Sequence, residues 1–301
     1  MAARGETATI AAQAPVAPRN PRTFWRDIGR SFRRNPAAMV GLALVMLFLA
    51  ASIWGLVGTP EDTNRSRLNQ RLKAPSADHI LGTDGFGRDI LNRIFEGAPL
   101  ALVVGVVSVA GGGVIGCGLG LLAGYNRGKI GTLIMRVVDA MLAFPTLLLA
   151  LAIMATLGPG LVNVMIAVGF STLPRFARMM EAEVLAIAGR EYVTAARAIG
   201  ASSRIILLRH ILPNALSSVL VMATLYVSTA ILAEATLSFL GLGPRPPTPT
   251  WGSMINDGSS ALQDAPWTVF APGLAITLTV LGFSLVGDGL RDALDTRLRE
   301  R

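Results

Sequence analysis

The stretch EYVTAARAIGASSRIILLRHILPN, Glu191 to Asn214, is polar, charged and helix-competent, yet it lies between apolar runs that read as membrane spans. Its first part, Tyr192 to Ile199, is made of good helix formers behind an acidic residue. Gly200 then breaks the helix, because glycine turns the chain cheaply and is poor inside a helix. A second helical piece, Ser203 to Leu212, sets Arg204, Arg209 and His210 among Ile205, Ile206, Leu207 and Leu208. Pro213 has no backbone N–H to give and predicts a break or a new start. A helix–glycine–helix of this kind fits a docking knob for a partner protein. It fits equally an amphipathic helix lying on the lipid surface, and the residues alone leave both open.

Around this stretch the composition is that of a membrane protein. The 301 residues are 52% hydrophobic and 15% charged, with a mean hydropathy of +0.54. A soluble domain would carry roughly 25% charge. The net charge of +8 does not point to nucleic acid, since the arginines fall in short loops beside apolar runs instead of along one stripe. A single cysteine, Cys117, excludes an internal disulfide.

The apolar runs predict six spans, at about 37–58, 99–124, 134–158 with Pro145 inside, 160–177 with Pro174 near its end, 217–240 and 270–287. The first run, Ala37 to Gly58, would span about 33 Å at 1.5 Å per residue. A signal-peptide core is shorter, ~7–15 residues, so an uncleaved span is expected. Ahead of it, residues 1–18 read as disordered. Residues 19–36 place Phe24, Trp25, Ile28 and Phe32 opposite arginines, as in an interfacial helix, and Asn35-Pro36 is a helix start signal.

Orientation follows from charge. Segments 1–36, 125–136, 174–213 and 288–301 hold 20 of the 27 lysines and arginines, against seven in 59–97 and 241–268. The positive-inside rule then predicts cytoplasmic termini and a cytoplasmic Glu191–Asn214 segment. Trp54 and Trp267 fall at expected outer interfaces and Tyr125 at an inner one.

Several motifs carry packing rather than chemistry. Gly112, Gly116, Gly120 and Gly124 recur every four residues and predict close approach of another helix. GGGVIG at 111–116 satisfies a dinucleotide pattern but has no strand before it and lies in a span. Near Gly128-Lys129 a phosphate-loop pattern fails, with Ala123 for its first glycine and Ile130 for its Ser or Thr. No nucleotide, metal or catalytic site is expected: His79 and His210 are far apart, and neither H-E-x-x-H nor C-x-x-C occurs.

Two acids lie in spans. Asp139 is expected to pair with Arg136, three residues away. Glu234 is a candidate for lining a translocation path, against a plain interhelical hydrogen bond. Outside the membrane, the turns around Asp84, Arg88 and Asp89 predict a polar cap held by Asp–Arg pairing. The loop stiffened by Pro244, Pro246, Pro247 and Pro249 suits either partner docking or a purely structural role. An ion-coupled carrier, a membrane enzyme and a scaffold are the rival classes. The first would show paired mid-membrane ionisable residues, and the second a nucleophile or metal cluster.

The central stretch also resembles the EAA loop of permease subunits of ATP-binding-cassette importers, which runs Glu-Ala-Ala, three residues, Gly, nine residues, Ile, one residue, Leu-Pro. Here Ala195, Ala196, Gly200, Leu212 and Pro213 match, while Thr194 stands for the Glu and His210 for the Ile. GTDGFGRD (82–89), RHILPN (209–214), LSFLGLG (237–243) and PPTPTWG (246–252) together resemble the second permease of dipeptide, oligopeptide, nickel or glutathione importers.

The resemblance implies an all-α type I importer permease in the bacterial cytoplasmic membrane. Residues 1–36 would be a cytoplasmic segment, 37–58 a first helix and 59–97 an extracytoplasmic loop. Residues 98–288 would form a five-helix core with the coupling loop at 190–214, and 289–301 a cytoplasmic tail. The partners implied are a homologous permease, two ATPase subunits that bind the ATP and Mg, and an extracytoplasmic solute-binding protein. This chain would bind no cofactor and be no enzyme. Thr194, Ala195, Ala196, Gly200, Leu212 and Pro213 would couple to the ATPase, with Arg197 and Arg204 added as candidates for salt contacts. Short peptides are the expected cargo, glutathione or nickel the alternative.

Overall fold

The computed structural model describes residues 29–60, 63–126 and 128–298, with the side chains of 295–298 left aside. Among these residues the chain is helical, with an isolated bridge between Thr83 and Asp89 as the β pairing. The expectations for 1–18 and for most of the interfacial helix lie outside the described residues; 29–34 are helical.

Helix α1, Pro36–Val57, starts as its sequence predicts. The Asn35 side chain accepts from the N–H groups of Ala37 and Ala38 at 3.0 and 3.2 Å, with Pro36 in the first turn. Helix α2, Ile90–Tyr125, begins well before the predicted 99, because Asp89 caps it through Asn92 N–H at 3.0 Å. The third predicted span is not straight. It divides into α3, Lys129–Leu142, and α4, Thr146–Leu157, bent by 93°. Pro145 lacks an N–H and disfavours helical backbone at Phe144, which breaks the helix there.

Pro174 has no such effect: α5 runs unbroken from Leu161 to Ala188. At Pro213 the expected new start is seen without an end to the helix. Ser203–Phe239, α7, is one span in which Ile206–Ile211 wind as a wider π turn, with Leu212 N–H bonded to Leu207 O. Regular α-helix starts again at Leu212 with Pro213 in its first turn. Before α7, and across Gly200 from it, comes the short α6, Glu191–Ala198; after it come α8, Trp251–Ser259, and α9, Trp267–Leu298.

Four helices, α1, α2, α7 and α9, are long and apolar enough to cross a membrane, five spans if the α3–α4 pair is one, against the six expected. The difference is α5, whose second half carries Arg175, Arg178, Glu181 and Glu183.

The glycine ridge positions everything else. α2 and α5 run side by side in the same direction. A Cβ at Gly112 would sit 2.3 Å from Gly169 O, at Gly116 2.4 Å from Leu173 O, and at Gly120 2.2 Å from Ala177 O. The backbones meet because no side chain intervenes. α9 lies antiparallel to α1, with Gly289 against Ala38 and Gly41 against Leu285, and Asn35 Nδ2 donates to Asp292 at 3.3 Å. Start and end of the described bundle therefore share one end. The core between the helices holds Phe48, Val104, Met154, Val168, Phe176 and Ile231.

At the opposite end, residues 63–89 form the expected polar cap. Asp84 accepts from Phe86 N–H and Arg88 N–H and pairs with Arg88 Nε at 2.7 Å, while Arg93 Nε lies 3.8 Å away. Arg88 reaches on to Asp257 of α8 at 3.4 Å, and His79 meets Asp89 at 2.8 Å. Trp267 clamps the cap to the bundle by donating to Thr83 O at 3.2 Å, and Trp251 ties the loop-borne helix that it starts to α2 by donating to Ile94 O at 3.0 Å. Because Arg88 and Arg93 are both buried, Asp84→Ala leaves them short of a counter-charge. We expect a loss of about 3–5 kcal/mol, read as a lowered Tm of the purified subunit in detergent, with Asp78→Ala, at an exposed position, unchanged.

Candidate functional site

The stretch from Glu191 to Asn214 forms a compact knob at the end of the bundle that holds Asn35 and Asp292. Glu191 in the first turn of α6 and Arg197 in its last oppose the helix dipole with the right signs. The helix ends in a glycine stop of the paired type: Gly200 N–H bonds Arg197 O and Ala201 N–H bonds Ala196 O, both at 3.0 Å. Gly200 itself sits at φ +84°, with open space where a Cβ would go. The constraint on this position is therefore backbone handedness and not crowding. Ser202 then caps α7 by accepting from Ile205 N–H at 3.4 Å.

Beneath the knob is a small core of its own. Val193 of α6 and Ile206, Ile211 and Ala215 of α7 close over Met180, Val184 and Ile187 of α5. The knob is thus carried rigidly on the ends of two long helices. The sequence-predicted residues divide around this base: Ala196 faces inward at 8% exposure and Leu212 is partly buried. Thr194, Ala195, Arg197, Gly200, Arg204 and Pro213 are exposed. Thr194 Oγ1 donates back to Arg190 O at 3.3 Å, so its hydroxyl serves its own helix. His210, in place of an Ile, stands beside the Tyr192 ring at 6.3 Å between centroids.

One residue absent from the sequence reading dominates the tip. Ile199, just before the glycine, is 87% exposed, while Ile205 and Leu208 are about half exposed. An apolar residue at a glycine-terminated helix end was the available signal, but only the fold shows that it points away from the bundle. An arrangement of exposed isoleucine flanked by Arg197 and Arg204 can seat in an apolar cleft with an acidic rim.

The two intramembrane acids behave otherwise than expected. Asp139 pairs with Arg178 of α5, not with Arg136, and Arg178 also holds Glu181 at 2.9 Å. Packing of α3 on α5 supplies a partner that adjacent sequence does not reveal. Glu234 is 2% exposed, and its Oε1 accepts from Ser238 on the same helix at 2.6 Å. This bond is within one helix and not between two.

The described residues thus form a helical bundle with helices long and apolar enough to cross a membrane, a knob at one end and a clamped cap at the other. The chain belongs to the family of binding-protein-dependent transport system inner membrane components, whose model matches residues 116–300. Residues 23–75 match the N-terminal TM domain of oligopeptide transport permease C.

Relatives include the dipeptide transport system permease protein DppC of Alkalihalophilus pseudofirmus, 45% identical over 91% of this chain and 90% of that protein. The glutathione transport system permease protein GsiD of Pectobacterium atrosepticum is 42% identical over 97% of both chains. The fold matches the inward-facing MetNI methionine ABC transporter with a TM-score of 0.57 at 21% identity, covering 67% of this chain and 96% of that one. The protein is thus a multi-pass permease of an ATP-binding-cassette importer and not itself an enzyme; ATP hydrolysis belongs to a separate subunit. An ion-coupled carrier does not fit this family.

Proposed function

We propose that this subunit carries short peptides across the cytoplasmic membrane as one half of a heterodimer with a homologous permease. Two ATPase subunits, which bind the ATP and Mg, engage the Glu191–Asn214 knob on the cytoplasmic side, where both termini also lie. An extracytoplasmic solute-binding protein delivers cargo to the cap end. The observation that carries this reading is the knob itself: Ile199 is 87% exposed, yet its base is a closed apolar core. An amphipathic helix on lipid would lay its whole apolar side flat, whereas here Val193, Ile206, Ile211 and Ala215 are spent on α5 and Ile199, Ile205 and Leu208 are left for a partner.

In operation, closure of the ATPase dimer on ATP moves the two clefts that hold the knobs. The rigid base transmits the movement to α5 and α7, and the bundle opens outward to receive peptide. Thr194, Ala195, Ala196, Leu212 and Pro213 shape the knob, and Arg197 and Arg204 provide its charged flanks. Glutathione is the second reading, favoured by relatives named for it that are 42–44% identical over 97% of this chain.

The test is ATP hydrolysis and uptake by the reconstituted complex with its binding protein. Stimulation by dipeptides supports the first reading. Stimulation by glutathione alone supports the second, and no response to either opposes both. A role for Glu234 in the path is tested separately by Glu234→Gln. Its enclosure predicts uptake at the wild-type rate and affinity; a tenfold loss in an intact complex would restore the path role.

A further inference from the structure

We propose that Arg175, steered by Tyr226, binds the carboxylate of the peptide as it passes through the membrane. This inference rests on the peptide reading above. Arg175 belongs to α5 at a position that charge counting alone would give to a cytoplasmic loop, but the packing puts it deeper. Its guanidinium lies 5.8 Å from the Tyr226 ring of α7, over one face of that ring. On either side of Arg175, Leu173 and Ala177 meet Gly116 and Gly120 of α2, and α2 runs on without a charge for another turn to Gly124. Arg175 therefore sits within the depth of the apolar belt.

A cation at that depth faces protein or a water-filled cavity, not lipid tails. Yet among the described residues no carboxylate pairs with it. The next arginine along the helix, Arg178, pairs with Asp139 and Glu181, so those two acids are taken elsewhere. Arg175 is only partly buried in the isolated subunit. Tyr226 is held by Phe176 at 5.4 Å between centroids, and its ring attracts the guanidinium and biases where it sits. A partly accessible guanidinium with no acid of its own suits a carboxylate, which it can bind through two parallel hydrogen bonds. Dipeptides and glutathione, the cargoes for which relatives are named, differ in size and side chains but share a free carboxylate.

The experiment is uptake into proteoliposomes containing the complete transporter, with one dipeptide and its C-terminal carboxamide, each saturating the binding protein. The variant-to-wild-type ratio for each peptide cancels the binding protein's own preference. For Arg175→Gln we expect at least a tenfold loss with the free carboxylate and less than a threefold loss with the amide, at unchanged basal ATP hydrolysis. Arg175→Lys should recover part of the loss, and Tyr226→Phe should retain most activity because the ring remains. Equal losses with both peptides, or none, would overturn the assignment while leaving the peptide reading intact. If the wild-type complex moves neither peptide, the peptide reading itself fails and this inference with it.

Discussion

Gly120→Leu is expected to eliminate the folded subunit from the membrane. A Cβ at this position would stand 2.2 Å from Ala177 O and 2.9 Å from the Met180 Cβ. The first obstacle is backbone, which cannot turn aside as a side chain can, so α2 and α5 would have to part along their length. The cost should exceed about 3 kcal/mol, the upper part of the usual range for overpacking. Gly116→Leu should behave alike, since Leu173 O is 2.4 Å from its Cβ position. Gly111→Leu and Gly118→Leu are the controls, because nothing lies within 4 Å of a Cβ at either. Membrane-fraction yield and monodispersity in detergent measure the effect. Equal tolerance of leucine at 118 and 120 would show that α2 and α5 are not in contact as described.

Gly200→Val should leave folding and assembly intact and remove coupling. Valine would meet no neighbour there, but φ +84° is a region β-branched residues avoid, at a cost of about 1–3 kcal/mol. The chain relieves that strain by unwinding the paired bonds from Gly200 and Ala201, and the knob loses its shape. Basal ATP hydrolysis should persist, while stimulation by loaded binding protein should fall at least tenfold. Gly200→Asn should keep most of the stimulation, because asparagine tolerates left-handed backbone. If valine and asparagine behave alike, the handedness of this turn is not what matters. Normal stimulation in the valine variant would count against the coupling role.

Much of the architecture could be read from residue spacing. The four-residue glycine repeat announced a close helix pair, though not which partner, and α5 turned out to be the one. Asn35-Pro36 and Gly200 each announced a local event that the fold repeats. Other features depend on contacts distant in sequence. Pro145 breaks its helix and Pro174 does not, although each is a proline in an apolar run. Pro174 and its neighbours 171–173 are buried, and that packing overrides local preference.

Asp139 found Arg178, 39 residues away, over the nearer Arg136 because α3 lies along α5. Helix α8 was hidden in a proline-rich loop. Its signal was a capping box, in which Thr250 and Ser253 bond each other's backbone N–H groups at 3.1 Å. At the knob, the motif residues lie together on one compact segment. The exposure of Ile199 needed the small core beneath it, since only that core decides which side of α6 remains free.

The most direct test of the knob's role is site-specific photocrosslinking from Ile199 in the assembled, membrane-embedded transporter. A crosslinking side chain at 199 should yield an adduct with the ATPase subunit, stronger when ATP is bound and hydrolysis blocked. The same side chain at Leu68 or Ile80, which are 71% and 65% exposed on the cap, should yield none. Adducts from 199 with lipid alone would contradict the coupling account and establish the Glu191–Asn214 segment as a surface-lying helix.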